Sequence, residues 1–231
     1  MNYLPYPVIP VAPFDQSLPE IAHQDSSSFH RELYLVTRIG LLRSIRMPWL
    51  QATVPAALSP LPLPFGGFPP GVMELPKPYV TLVVDVEILY QCICQFLGFA
   101  IRHADVECQQ DFVLAGQVPS AYADPILSTS DMYVDHAAPD VPRGTWLLDI
   151  HSHGRIPAYF SSTDDTDDQH DLKIAMVVGR VDTDHPTYSA RVCLGQGVFI
   201  PLDFDQAFPS GPSLFHETGL IPEGSGGSHA A

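Results

Sequence analysis

The chain has 231 residues, 45% of them apolar and 16% charged, enough to bury a substantial core without disulfide staples. Its 11 basic and 26 acidic residues give a formal charge of -15, which excludes a phosphate-tracking surface, because nucleic-acid binding rests on Lys and Arg neutralising phosphates. The four cysteines, Cys92, Cys94, Cys108 and Cys193, form no CxxC pair and fit a reducing cytoplasm.

The first thirty residues are proline-rich and lack the basic start of a signal peptide. The stretch ELYLVTRIGLLRSIRMPWLQATVP then predicts two short strands joined near Gly40. Residues 57–78 carry too many Pro and Gly for a regular element and are expected to be a linker or wrapping arm. From Val84 to about His103, Val86, Leu89, Ile93, Phe96, Leu97 and Ala100 recur at three- and four-residue steps behind a capping Asp85, which predicts an amphipathic helix. This segment is also the longest apolar candidate for a membrane span, but Asp85, Glu87, Gln91 and Gln95 interrupt it, so none is expected. Cys92 and Cys94 stand on different helix faces and are expected to pack rather than bind metal.

VECQQDFVLAG predicts a strand ending at Gly116, followed by a long polar connection through Pro119, Pro125, Pro139 and Pro142 and a buried strand TWLLDI. LKIAMVVGRV and YSARVCLGQGVFIPL predict further strands, with a turn at Asp184, His185 and Pro186. The tail after Pro209 is expected to be disordered. This order of elements gives a mixed α/β, or α+β, core without the regular βαβ repetition of a doubly wound fold.

The chemistry sits in LLDIHSHGRIPAYFSSTDD, where His151, His153, Ser161 and Asp164 are spaced as His-x-His, seven residues, Ser, two residues, Asp. Alternate residues of a strand point to one side, so both imidazoles can reach one ion if the backbone stays extended. A carboxylate returned by a turn supplies a third ligand and leaves the fourth tetrahedral place open, as in catalytic zinc sites. Two His and one carboxylate suit zinc, with iron the next candidate. The neighbouring run Asp164, Asp165, Asp167, Asp168 and Asp171 is read as a solvated, helix-starting acidic turn, with a second cation or a basic substrate segment as alternatives. His170 and His185 are expected at the surface, and His103 at the helix end, against its carbonyls.

The His-Ser-His, Ser and Asp pattern resembles the signature of the JAMM metalloproteases, the active MPN family. That resemblance implies a central β-sheet flanked by helices over residues 81–209, preceded by a proline-rich extension with a β-rich segment over 1–80 and followed by a tail over 210–231. It implies one Zn²⁺ per chain on His151, His153 and Asp164, Ser161 stabilising the oxyanion, and an upstream Glu after a long helix as general acid and base. Glu107 follows the predicted helix and precedes His151 by 44 residues, whereas Glu87 stands in the first turn, where a carboxylate simply favours the helix dipole. Two positions depart from the family pattern: Gly154 where Pro is frequent after the second His, and Gln110 where Gly is frequent three residues after the Glu.

Wider wording over residues 30–205, including LYLVTRIGLLRSIR and AYFSSTDDTDD, resembles the bacterial PRTRC system A proteins, a plasmid-associated JAMM group. This implies a peptidase or isopeptidase acting at a ubiquitin-like protein. A non-catalytic MPN-type scaffold is the alternative. A zinc deaminase is excluded because no Pro-Cys-x-x-Cys occurs.

Overall fold

The computed structural model describes residues 8–10, 31–37, 40–55, 79–115, 118–128, 139–142 and 144–204. Strands β1 (Val8–Pro10), β2 (Arg31–Thr37), β3 (Gly40–Met47), β4 (Leu50–Pro55) and β5 (Tyr79–Leu82) form one sheet in the order β1-β5-β4-β3-β2. The remaining strands are β6 (Cys108–Ala115), β7 (Val118–Ala121), β8 (Ile126–Leu127), β9 (Trp146–Ser152), β10 (Leu172–Gly179), β11 (Thr187–Leu194) and β12 (Phe199–Pro201). They form a seven-stranded sheet in the order β12-β11-β10-β9-β6-β7, with β8 also paired to β6. With helices α1 (Val86–Arg102) and α2 (Ser162–Asp168), this is a mixed α+β fold.

Three strands, not two, occupy residues 31–55. The second reversal is a two-residue turn at Pro48 and Trp49, with Met47 opposite Leu50. Its lack of Gly or Asn, the usual hairpin signal, hid it inside one apolar run. Strands β5, β7 and β8 were likewise unmarked in the sequence. Pro119 sits in β7, the last strand of its sheet, where a missing N–H can face away from the ladder. The Pro- and Gly-rich stretch 57–78 and the tail after Pro209 lie outside the described residues.

Helix α1 begins where the pattern placed it. The Asp85 carboxylate accepts hydrogen bonds from the N–H groups of Glu87 at 3.0 Å and Ile88 at 3.2 Å, satisfying donors that have no partner inside the helix. At the other end the His103 N–H donates to the Ala100 carbonyl and its ring lies 4.5 Å from that of Phe99. Cys92 is buried and Cys94 half-buried, and both are free thiols. Among the described residues no helix is long and apolar enough to cross a membrane.

Leu89, Ile93, Phe96, Leu97 and Ala100 of α1 join Ile45, Leu50 and Val54 of the first sheet, Trp49 of the turn between β3 and β4, and Leu148, Ile150, Ile174, Met176 and Val192 of the second sheet in one buried cluster. Trp49 is fully buried and its indole N–H donates to the Gly144 carbonyl at 3.1 Å. The buried Arg43 guanidinium donates to the Leu194 carbonyl and pairs with Glu32. The two sheets are therefore joined by apolar burial and by hydrogen bonds. Trp49→Ala is expected to cost about 3–5 kcal/mol through the lost burial and the cavity left behind. Denaturant melts of the full chain check this, and a cost under about 1 kcal/mol would show that the contact between the sheets is not a shared core.

Candidate metal centre

The central sheet has two unlike faces. Residues opposite one another across the ladder share a face, so Gln109 and Asp111 of β6, Asp149 and His151 of β9, Lys173 and Ala175 of β10, and Arg191 and Cys193 of β11 stand together. Cys108, Phe112, Leu148, Ile150, Ile174, Met176 and Val192 alternate with them and supply the buried cluster. One face is a core. The other carries the chemistry.

Strand β9 remains extended through Ser152, and the His153 N–H still pairs with the Val178 carbonyl at 2.8 Å. The two imidazoles therefore emerge on one side, with their Nε2 atoms 3.3 Å apart. His153 Nδ1 stands 3.4 Å from the Pro157 carbonyl and its ring meets Tyr159 edge-on at 4.6 Å. A proton on Nδ1 facing that carbonyl leaves the Nε2 lone pair facing His151. Burial, and then the neighbouring His151, lower the His153 pKa. Both effects favour the neutral, ligating form.

Asp164 arrives through a local motif. Ser161 is the N-cap of α2, its Oγ accepting from the Asp164 N–H at 3.2 Å, while Asp164 Oδ2 accepts from the Ser161 N–H at 2.5 Å. This reciprocal capping box explains the two-residue spacing between the Ser and the Asp. It holds Oδ2 and leaves Oδ1 3.6 Å from His151 Nε2. The Ser161 hydroxyl proton is not spent on the cap, because Oγ acts there as acceptor.

One ligand atom from each of His151, His153 and Asp164 lies within 4.8 Å of the others. Donors bonded to one tetrahedral zinc at about 2.0–2.1 Å stand about 3.3–3.4 Å from each other. The separations of 3.3 Å and 3.6 Å from His151 are close to that edge length. The donor set thus fits a small divalent cation of the zinc type, which accepts imidazole and carboxylate together.

Glu107 lies immediately before β6, two residues from Gln109, the partner of His151. Burial pushes its carboxyl up to about 7, and the charge of Asp164 adds to the effect. Its backbone carbonyl accepts from the Ser128 N–H at 2.8 Å.

The two departures from the family pattern have physical causes. Gly154 has φ of 55°, and a Cβ there would come within 2.4 Å of the Ala104 carbonyl oxygen, so Pro cannot stand at this position. Gln110 pairs with Ile150 and so faces the core, away from the ligands, with its amide N–H donating to the Ala123 carbonyl.

Residues 100–193 match the family model for prokaryotic homologs of the JAB domain. The match supports the JAB/MPN family and spans helix α1's end, Glu107, both histidines, Ser161 and Asp164. It covers under half of the chain. No curated protein matches the sequence.

The acidic run is only in part the solvated turn its composition implied: Asp167 is exposed, but Asp168 is buried. It does start a helix, but Asp168 is 4% exposed and, with Asp165, is paired to the guanidinium of Arg191, while Lys173 reaches Asp168 and Asp171. The cation facing these carboxylates is a pair of side chains. His170 and His185 are exposed. Asp149, Lys173 and Arg191 belong to no motif, and their only mark in the sequence is a lone cation in each of the strands LKIAMVVG and TYSARVCL.

Two outcomes follow from the geometry. Gly154→Ala forces a left-handed backbone and a clash with the turn leading to Glu107, and is expected to cost about 1–3 kcal/mol in thermal melts; an unchanged melting temperature would contradict the close approach. In metal-free protein, Glu107 binds its proton more tightly folded than unfolded, where its pKa is the ordinary 4.5. Its contribution to stability is then full below about 4.5 and lost as pH rises through about 7. Glu107→Gln should therefore match the wild type near pH 4 and exceed it in stability near pH 8, and equal stability at both would show an ordinary carboxylate.

Proposed function

We propose that the protein is a metal-dependent peptidase or isopeptidase, with one zinc ion held by His151, His153 and Asp164. The observation that carries this reading is the meeting of three donor atoms, from His151, His153 and Asp164, within 4.8 Å of one another. The match to prokaryotic JAB homologs adds to it, since the JAB family includes hydrolases.

His151, His153 and Asp164 would hold the zinc ion, which would supply Lewis-acid activation of water and of the scissile carbonyl near neutral pH. Glu107, immediately before the strand that pairs with β9, would take a proton from the attacking water and deliver it to the leaving amine. Ser161 donates its hydroxyl proton to the carbonyl oxygen as charge builds there. The capping box keeps that hydroxyl beside Asp164.

The substrate proposed is the tail of a ubiquitin-like protein, cut at a peptide or isopeptide bond. Its support is the resemblance to the PRTRC system A proteins, and membership of that group is part of the same proposal.

The test uses purified full-length protein, its zinc content, and a ubiquitin-like protein in linear fusion and in isopeptide linkage. Glu107→Gln should hold as much zinc as wild type and cleave about 10²–10⁴-fold more slowly. Ser161→Ala should lose about 10²–10³-fold. A wild type that holds zinc and cleaves neither substrate favours the scaffold alternative.

A further inference from the structure

Helix α2 has no apolar residue. Its sequence is STDDTDD, seven residues, and the only one buried is Asp168. A helix this short is unstable alone, Ser, Thr and Asp are indifferent helix formers, and Asp167 and Asp168 place negative charge at the end where the helix dipole is already negative. No hydrophobic face presses it onto the sheet, yet it carries Asp164 and follows Ser161.

What holds it is ionic. Arg191, 1% exposed, reaches Asp165 Oδ1 at 2.5 Å with Nη1 and Asp168 Oδ2 at 2.5 Å with Nη2, and its guanidinium carbon lies 3.8 Å from the ring centre of Phe160 and 4.0 Å from that of Phe199. Lys173, 2% exposed, contacts Asp168 Oδ1 at 2.8 Å and Asp149 Oδ2 at 2.7 Å. Asp149 precedes His151 by two residues on the same face of β9 and also accepts from the Gln109 amide at 2.8 Å. One ammonium therefore ties the helix that carries Asp164 to the strand that carries His151.

We propose that Lys173 and Arg191 are positioning residues that set the affinity of the site for its metal by fixing α2 against β9. This rests on the metal-site reading above. Buried ion pairs add little net stability over well-packed apolar side chains, so a stability role alone does not account for two buried cations under one short polar helix. The planar guanidinium fork matters because it grips two aspartates one helical turn apart, which a point charge cannot do equally well.

The test compares wild type with Arg191→Lys, which keeps the charge and loses the fork. Two quantities are measured: zinc affinity by chelator competition, and amide hydrogen exchange in metal-free protein. The variant should bind zinc at least tenfold more weakly, with exchange of the 162–168 amides at least tenfold faster and that of β9 and β10 unchanged. A folded variant with a lower melting temperature but unaltered zinc affinity and α2 exchange would overturn the proposal, leaving the two cations a purely structural role. Should Arg191→Lys not fold, Asp165→Asn removes one of the two anchors at a half-buried position and should shift both quantities the same way by at least threefold; no shift overturns the proposal. A wild type that binds no zinc defeats the metal-site reading, while the exchange measurement still decides whether the cations hold the helix.

Discussion

Two cations, Lys173 and Arg191, are buried against Asp149, Asp165 and Asp168 on one face of the central sheet. A charge removed from water must be paired or it shifts its pKa to become neutral. Lys173 does the opposite: burial works against its charge, but Asp149 and Asp168 outweigh that penalty and hold it well above the ordinary lysine range. Its partners thus favour the charged ammonium. These cations receive the carboxylates with which the polar helix α2 meets the sheet.

The site then assembles from short-range devices set on that support. The capping box at Ser161 uses one oxygen of Asp164 and frees the other. Strand β9 delivers His151, and the loop beyond it delivers His153, whose Nδ1 faces the Pro157 carbonyl. That loop can cross β10 closely because residue 179 is Gly: a Cβ there would fall within 2.2 Å of the Ile156 carbonyl oxygen. Gly154 allows the same loop to lie on the turn before Glu107. Both glycines are thus spacing elements of the candidate centre.

Much of this was legible in the sequence, and the boundary has physical causes. Helix α1 was readable because a capping carboxylate and a 3.6-residue apolar period coincide at Asp85. Strand β9 was readable because it ends an apolar run, and His151 and His153 because period-two geometry makes His-x-His meaningful. The turn at Pro48 and Trp49 was not, since it carries no Gly or Asn, and β7 was masked by Pro119, which an edge tolerates. The ionic network was invisible for another reason. Asp168, Lys173 and Arg191 are brought together only by the fold, and an acidic run by itself looks solvated until the partner strand is known.

The proposed function stands on two imidazoles and one carboxylate holding a zinc ion. X-ray absorption at the zinc edge tests it most directly, on zinc-loaded full-length protein and on His151→Ala. The expected spectrum is four-coordinate, with two imidazole nitrogens at about 2.0–2.1 Å and oxygen ligands at about 2.0–2.2 Å, and with one imidazole lost in the variant. A thiolate sulfur at about 2.3 Å, an all-oxygen shell, or a wild type that retains no stoichiometric zinc would contradict it.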